Sequence, residues 1–124
     1  MSAVKVRDTI TKLLEDAVGK NVYYMDAPED ANYPYYVFEI RRLTEIGGIQ
    51  QCILEVNAWD SHRTYSRIEV GLDKIENRLH KNKEINADHT LSTYKGDRQR
   101  VLDDDKNIKR YRELFPMILV EGRN

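Results

Sequence analysis

A chain of 124 residues with a formal net charge of -1 has room for one hydrophobic core and no broad single-sign field, which excludes the simplest mode of attachment to nucleic acid or an anionic membrane. Asp, Glu, Lys and Arg make up 33% of it against 40% apolar residues, so a thin core and two structural layers are expected rather than three. The single cysteine, Cys52 in the apolar stretch QQCILEV, rules out an intrachain disulfide and reads as a buried, inert thiol.

The N-terminal MSAVKVRDTITKLL carries Lys5, Arg7, Asp8 and Lys12 with no unbroken apolar stretch, so neither a signal peptide nor an anchor is expected. No run of the ~20 apolar residues needed to span a bilayer occurs, and a soluble protein that stays where it is made is expected. Val6, Ile10, Leu13, Leu14 and Ala17 recur at spacings of three and four before Gly19, which predicts an amphipathic helix over residues 3–18. NVYYM at 21–25 is short and β-prone, and DAPEDANYP has the punctuation of an exposed loop.

ANYPYYVFEI, residues 31–40, crowds three tyrosines around a proline, as either a stacking platform or the entrance to a strand would. Period-two geometry sends Tyr36, Phe38 and Ile40 to one face and Tyr35, Val37, Glu39 and Arg41 to the other. The strand reading is favoured, because base-stacking sites add a basic groove and the adjoining loop is acidic. Gly47-Gly48 signals a hairpin turn, after which Cys52, Leu54, Val56 and Ala58 resume the alternation, so two long antiparallel strands pair through residues 44–49.

From Ser61 the period changes. Tyr65, Ile68, Leu72, Ile75 and Leu79 step by three and four, a helix of about five turns that Asp60 or Ser61 could cap and that His80 and Lys81 suit at its negative end. Gly71 inside it implies either a tolerated cost or close approach of its backbone to the first helix or a neighbouring subunit. After HKNKEINADH the pattern weakens; TLSTYKGDRQRVL and IKRYRELFPMILVE read as two further strands flanking the polar turn DDDKN. MILV at 117–120 is apolar on both faces, as in an interior strand, and Pro116 implies a bulge or an unpaired side.

Motifs for chemistry fail one by one. His62, His80 and His89 have no partner at metal-ligand spacing. DDDKNIKRYREL places Asp103, Asp105 and Asn107 as in a calcium loop, but Ile108 stands where the turn glycine is needed and Leu114 where the bidentate Glu is needed. The element order matches a PD-(D/E)xK nuclease core, with Asp26, Glu39 and Arg41 nearest to its motif, yet arginine stays protonated and cannot take the lysine's part. No glycine-rich loop, nucleophile elbow or Ser/His/Asp constellation is present, and no cofactor is expected.

Taken end to end, the chain resembles the tail completion or tail terminator proteins of long-tailed phages and prophages. The resemblance rests on the N-terminal helix, YPYYVFEI after an acidic loop, ILEVNAWDSHRTYSRIEVGLDKIENRLH, an Arg- and Asp-rich stretch and the closing RYRELFPMILVE; residues 54–80 carry its most specific part. It implies a non-enzymatic virion component, assembled in the host cytoplasm, that forms a ring, commonly a hexamer, between head connector or stopper and tail tube. Partners implied are further copies of itself, the tail tube protein and the head connector, with neither membrane nor specific nucleic-acid binding. Trp59, Leu54, Val56, Ile68 and Leu72 match the family's hydrophobic positions and are expected to be packing positions.

The expected fold is a single α+β domain over residues 1–124, a mostly antiparallel sheet of four to five strands with two helices packed on one face. Tyr94, Arg98, Arg100, Asp103, Asp104, Asp105, Arg110 and Arg112 are the candidate oligomer or partner interface, with Arg98 and Arg100 meeting a neighbour's aspartates. A DNA-binding adaptor using Lys106, Lys109, Arg110 and Arg112 is the alternative to ring and nuclease.

Overall fold

The computed structural model describes residues 3–121. Helix α1 (Ala3–Val18) is followed by β1 (Val22–Tyr24), the long hairpin β2 (Tyr35–Ile46) and β3 (Ile49–Asp60), helix α2 (Ser66–Leu79), the short strands β4 (Asn82–Ile85), β5 (His89–Thr93) and β6 (Asp97–Arg100), and β7 (Lys109–Glu121). The strands form one sheet in the order β1-β2-β3-β7-β5-β4, and β6 also lies against β7. All pairings are antiparallel except that of β1 with β2.

The α+β architecture follows the sequence, but the sheet is larger than four to five strands and is mixed. Two regions account for the difference. The polar run around residues 82–93 supplies β4 and β5, and the expected strand TLSTYKGDRQRVL divides into β5 and β6 around Tyr94–Gly96. Both pieces lie along one edge of β7, where β5 pairs with residues 117–121 and β6 with 111–114. Pro116 falls in the gap between them, so its missing N–H faces an unpaired side, while the bulge is in β2, where the register slips between Arg42 and Thr44.

Both helices cover one face. Val6, Ile10, Leu13 and Leu14 from α1 and Ile68, Leu72, Ile75 and Leu79 from α2 close over Phe38, Leu54, Val56, Phe115 and Leu119. Gly19 leaves α1 with φ +91°, and Gly47 and Gly48 turn the hairpin with φ +59° and +82°, backbone that glycine adopts at little cost.

Helix α2 starts later than its periodicity suggests. Ser61 to Tyr65 form a turn, the N-cap is Tyr65, and no side chain caps it. Asp60 is instead fully buried, accepting hydrogen bonds from Ser61 N–H and from the Arg67 guanidinium, whose Nε lies 2.9 Å away. Gly71 answers to Tyr36 of β2: a Cβ there would fall inside the van der Waals envelope of the Tyr36 hydroxyl. Burial, with Asp60 close by, pushes that phenol up to about 12.

Candidate partner interface

No described helix or strand covers the second face of the sheet, and the residues there explain the tyrosine cluster. Tyr36 and Phe38 go to the core; Tyr35 goes to the open face and stacks on Trp59, its register partner, with centroids 6.0 Å apart and planes at 12°. Tyr33 and Tyr23 extend the aromatic row from Tyr35 at 5.4 and 6.3 Å, the first ring tilted and the second edge-on. The Arg110 guanidinium lies 4.2 Å from the Trp59 ring centroid and donates to Asn57 Oδ1 at 2.9 Å. Asn57 donates to Glu55 at 3.0 Å, and Glu55 accepts from Arg41 at 2.9 Å. A cavity of about 270 Å³ opens beside this row, lined by Met25, Asp26, Tyr35, Asn57, Trp59 and Arg110 among others.

The other end of the same face is apolar. Leu43, Ile53, Tyr94, Pro116 and Ile118 line a second hollow of about 280 Å³, and Ile49 and Val120 sit beyond it as register partners. Residues 41–49, from β2 through the turn to the start of β3, are all exposed, with Ile46 80% exposed beside the glycine turn. Beyond the three residues that pair with β1, no described strand takes the outer edge of β2, so residues 39–46 offer free backbone donors and acceptors. The two patches lie toward opposite ends of β2, roughly 20–27 Å apart at the usual strand rise.

This fold also occurs in a virion protein. A chain from a solved structure of the virion of a native gene transfer agent (GTA) particle matches with a TM-score of 0.69 at 14% sequence identity, over 97% of this chain and 92% of that one. The likeness to the GTA virion chain is therefore one of fold across nearly the whole of both. No family model and no curated protein matches the chain.

The predicted interface residues separate into four groups. Tyr94, Arg110 and Arg112 reach the open face, where Arg112 donates to Gln99 at 2.9 Å. Arg100 lies over the Tyr65 ring on the helix side, at 5.8 Å from its centroid. Asp103, Asp104 and Asp105 form the exposed β6–β7 turn, whose Asp103 and Asp105 carboxylates accept the backbone N–H groups of Asp105 and Asn107.

Arg98 is turned into its own subunit. It holds Glu113 at 2.8 Å, Asp73 at 2.9 Å and Glu76 at 3.0 Å, tying β6 to both β7 and α2. Glu113 is fully buried, and its Oε2 has no donor facing it. Burial pushes this carboxyl up to about 8 despite Arg98, and a proton held there can be donated to Glu76.

Trp59 is not a core residue, contrary to the hydrophobic-position reading, whereas Leu54, Val56, Ile68 and Leu72 are fully buried. Strand parity carried that signal: Cys52, Leu54, Val56 and Ala58 are the core set of β3, so Trp59 belongs to the opposite face. The same parity places Arg110 and Arg112 opposite Phe115, Met117 and Leu119. Of the nuclease-like set, Asp26 lines the aromatic cavity, Glu39 lies outside it and Arg41 is paired with Glu55. Among the described residues no group of three or more His, Cys, Asp or Glu side chains is arranged to hold a metal ion.

Proposed function

We propose that this chain is a structural, non-enzymatic virion component: a tail terminator or head-tail joining subunit that forms a ring, commonly a hexamer, on the tail tube and presents the docking surface for the head connector. The observation that carries the reading is the fold shared with the GTA virion chain over almost the full length of both. The uncovered sheet face supports it. A closed ring needs two unlike patches that meet head to tail. An aromatic–arginine end built on Tyr35, Trp59 and Arg110 and an apolar hairpin end built on Leu43, Ile46 and Tyr94 are such a pair. Asp103, Asp104, Asp105, Arg100 and Arg112 complete the surface around the first end, and Arg98 fixes the strand from which that surface projects.

The test is mass in solution over a concentration series, by light scattering after size exclusion, with and without purified tail tube protein. A ring, free or on the tube, is the expected result. A monomer at every concentration with no binding to tubes overturns the assignment.

A further inference from the structure

We propose that the hollow between the β3–α2 turn and the β6–β7 loop is a phosphate-binding site. It has a volume of about 410 Å³ and is lined by Ser61, His62, Arg63, Asn107 and Lys109. Each of these side chains can donate a hydrogen bond and none is an acid. His62 Nδ1 accepts the Arg63 backbone N–H at 2.9 Å, so the neutral ring carries its proton on Nε2, the atom left to donate. Lys109 Nζ is anchored to the Lys106 carbonyl and lies 5.7 Å from the Tyr65 centroid, which holds the ammonium beside the hollow.

Arg63 is the one arginine that lines the hollow, and the distribution of the others adds positive charge around it. Arg7, Arg41, Arg67, Arg78 and Arg98 are each ion-paired to a carboxylate. Arg42, Arg63, Arg100, Arg110 and Arg112 have no carboxylate ion pair among the described residues, although the chain holds 21 Asp and Glu. Four of these five, all but Arg42 in the hairpin, cluster at the corner where β3 ends and β7 begins, on both sides of the sheet: Arg110 is the register partner of Trp59, Arg112 of Asn57, Arg100 of Tyr111, and Arg63 follows β3 in the turn. Guanidinium and ammonium groups with no internal acid keep their charge for an external anion, and a tetrahedral oxyanion suits the hollow's mixture of the Arg63 fork, the Lys109 point charge and neutral donors. The ligand is a phosphate group, supplied by a nucleic-acid backbone or as a free anion, and recognised without reading bases.

The site goes beyond ring formation and stands or falls apart from it, since it lies within one subunit. The experiment titrates isotope-labelled protein with a short duplex DNA and, separately, with inorganic phosphate, following the amide resonances of Ser61, His62 and Asn107; duplex affinity is then measured against salt. Shifts with both ligands establish a site open to any phosphate, shifts with the duplex alone assign the polymer backbone, and shifts with inorganic phosphate alone assign the free anion.

If the duplex binds, Arg63→Ala with Lys109→Ala weakens it about tenfold or more and lowers the salt slope by about 1.8, about 0.9 for each lost phosphate contact. Arg42→Ala, which removes an arginine from the hairpin end, leaves affinity and slope unchanged. All of these side chains lie near the surface, and a thermal melt confirms that each variant is folded. No shift with either ligand, or a double variant that binds the duplex as the parent does, overturns the proposal.

Discussion

The two faces of one sheet have been put to opposite uses. On the covered face, Phe38, Leu54, Val56 and Phe115 are sealed under two helices, and position after position is apolar. On the open face the same strands carry Tyr35, Glu55, Asn57, Trp59, Arg110 and Arg112, linked by stacking and hydrogen bonds rather than by burial. Adjacent residues of a strand thus do different work: Ala58 packs and Trp59 presents. Substitutions on the first face should cost stability and those on the second should cost assembly.

The largest effect expected is that of Leu54→Ala, which removes a fully buried side chain from the centre of β3. A loss of about 2–5 kcal/mol is expected in denaturant unfolding, against under about 1 kcal/mol for Trp59→Ala on the neighbouring open face. Comparable losses at the two positions would erase the distinction between the faces. Gly71→Ala follows, at about 1–3 kcal/mol, because the new methyl collides with the Tyr36 ring. Combining it with Tyr36→Phe, which removes the nearest atom, should recover part of that loss; a double variant no better than the sum of its singles would place the strain elsewhere.

Glu113 tests a polar intruder on the covered face. Its carboxyl is raised from 4.5 to about 8 in the folded chain, so between those values the native state holds a proton that the unfolded chain has released. The stability it contributes is therefore fully present below about pH 4.5 and is lost as pH rises through about 8. Glu113→Gln should flatten that part of the profile, measured by urea midpoints across pH; an unchanged profile would show that another group is responsible. His89 has the opposite sign: burial lowers it from 6.5, so stability is present above pH 6.5 and declines as the solution is made more acidic. The same urea series reads this on its acid limb.

The smallest stability effect should come from Ile46→Ser at the exposed hairpin tip, within about 0.5 kcal/mol. Light scattering should nevertheless show impaired ring formation if the hairpin end is a subunit contact. A ring that forms as before removes the tip from the interface and leaves the aromatic–arginine end to be tested through Arg110→Ala.

Much of this division was written in periodicity. The spacing of Val6, Ile10, Leu13 and Leu14 fixes α1, and the alternation of Tyr36, Phe38 and Ile40 with Cys52, Leu54 and Val56 fixes the hairpin, its turn and its buried side. These patterns are legible because a residue's face depends only on local geometry. By contrast, NKEI has too little apolar contrast to announce β4, and nothing local announces that the strand expected over TLSTYKGDRQRVL divides into β5 and β6; β4 is held by β5, and β5 and β6 by the long edge of β7.

The same limit governed the site. Asp60 had the chemistry of a helix cap, and only the folded chain buries it against Arg67; Arg98 had that of a surface cation, and only the packing of β6 between β7 and α2 surrounds it with three carboxylates. The sequence by itself determined the helices, the long strands and which residues of each strand share a face, because these depend on neighbours a few positions away. Tertiary structure alone decided which charges are consumed internally and which are left without an internal ion pair, because ion pairing depends on groups brought together from distant parts of the chain.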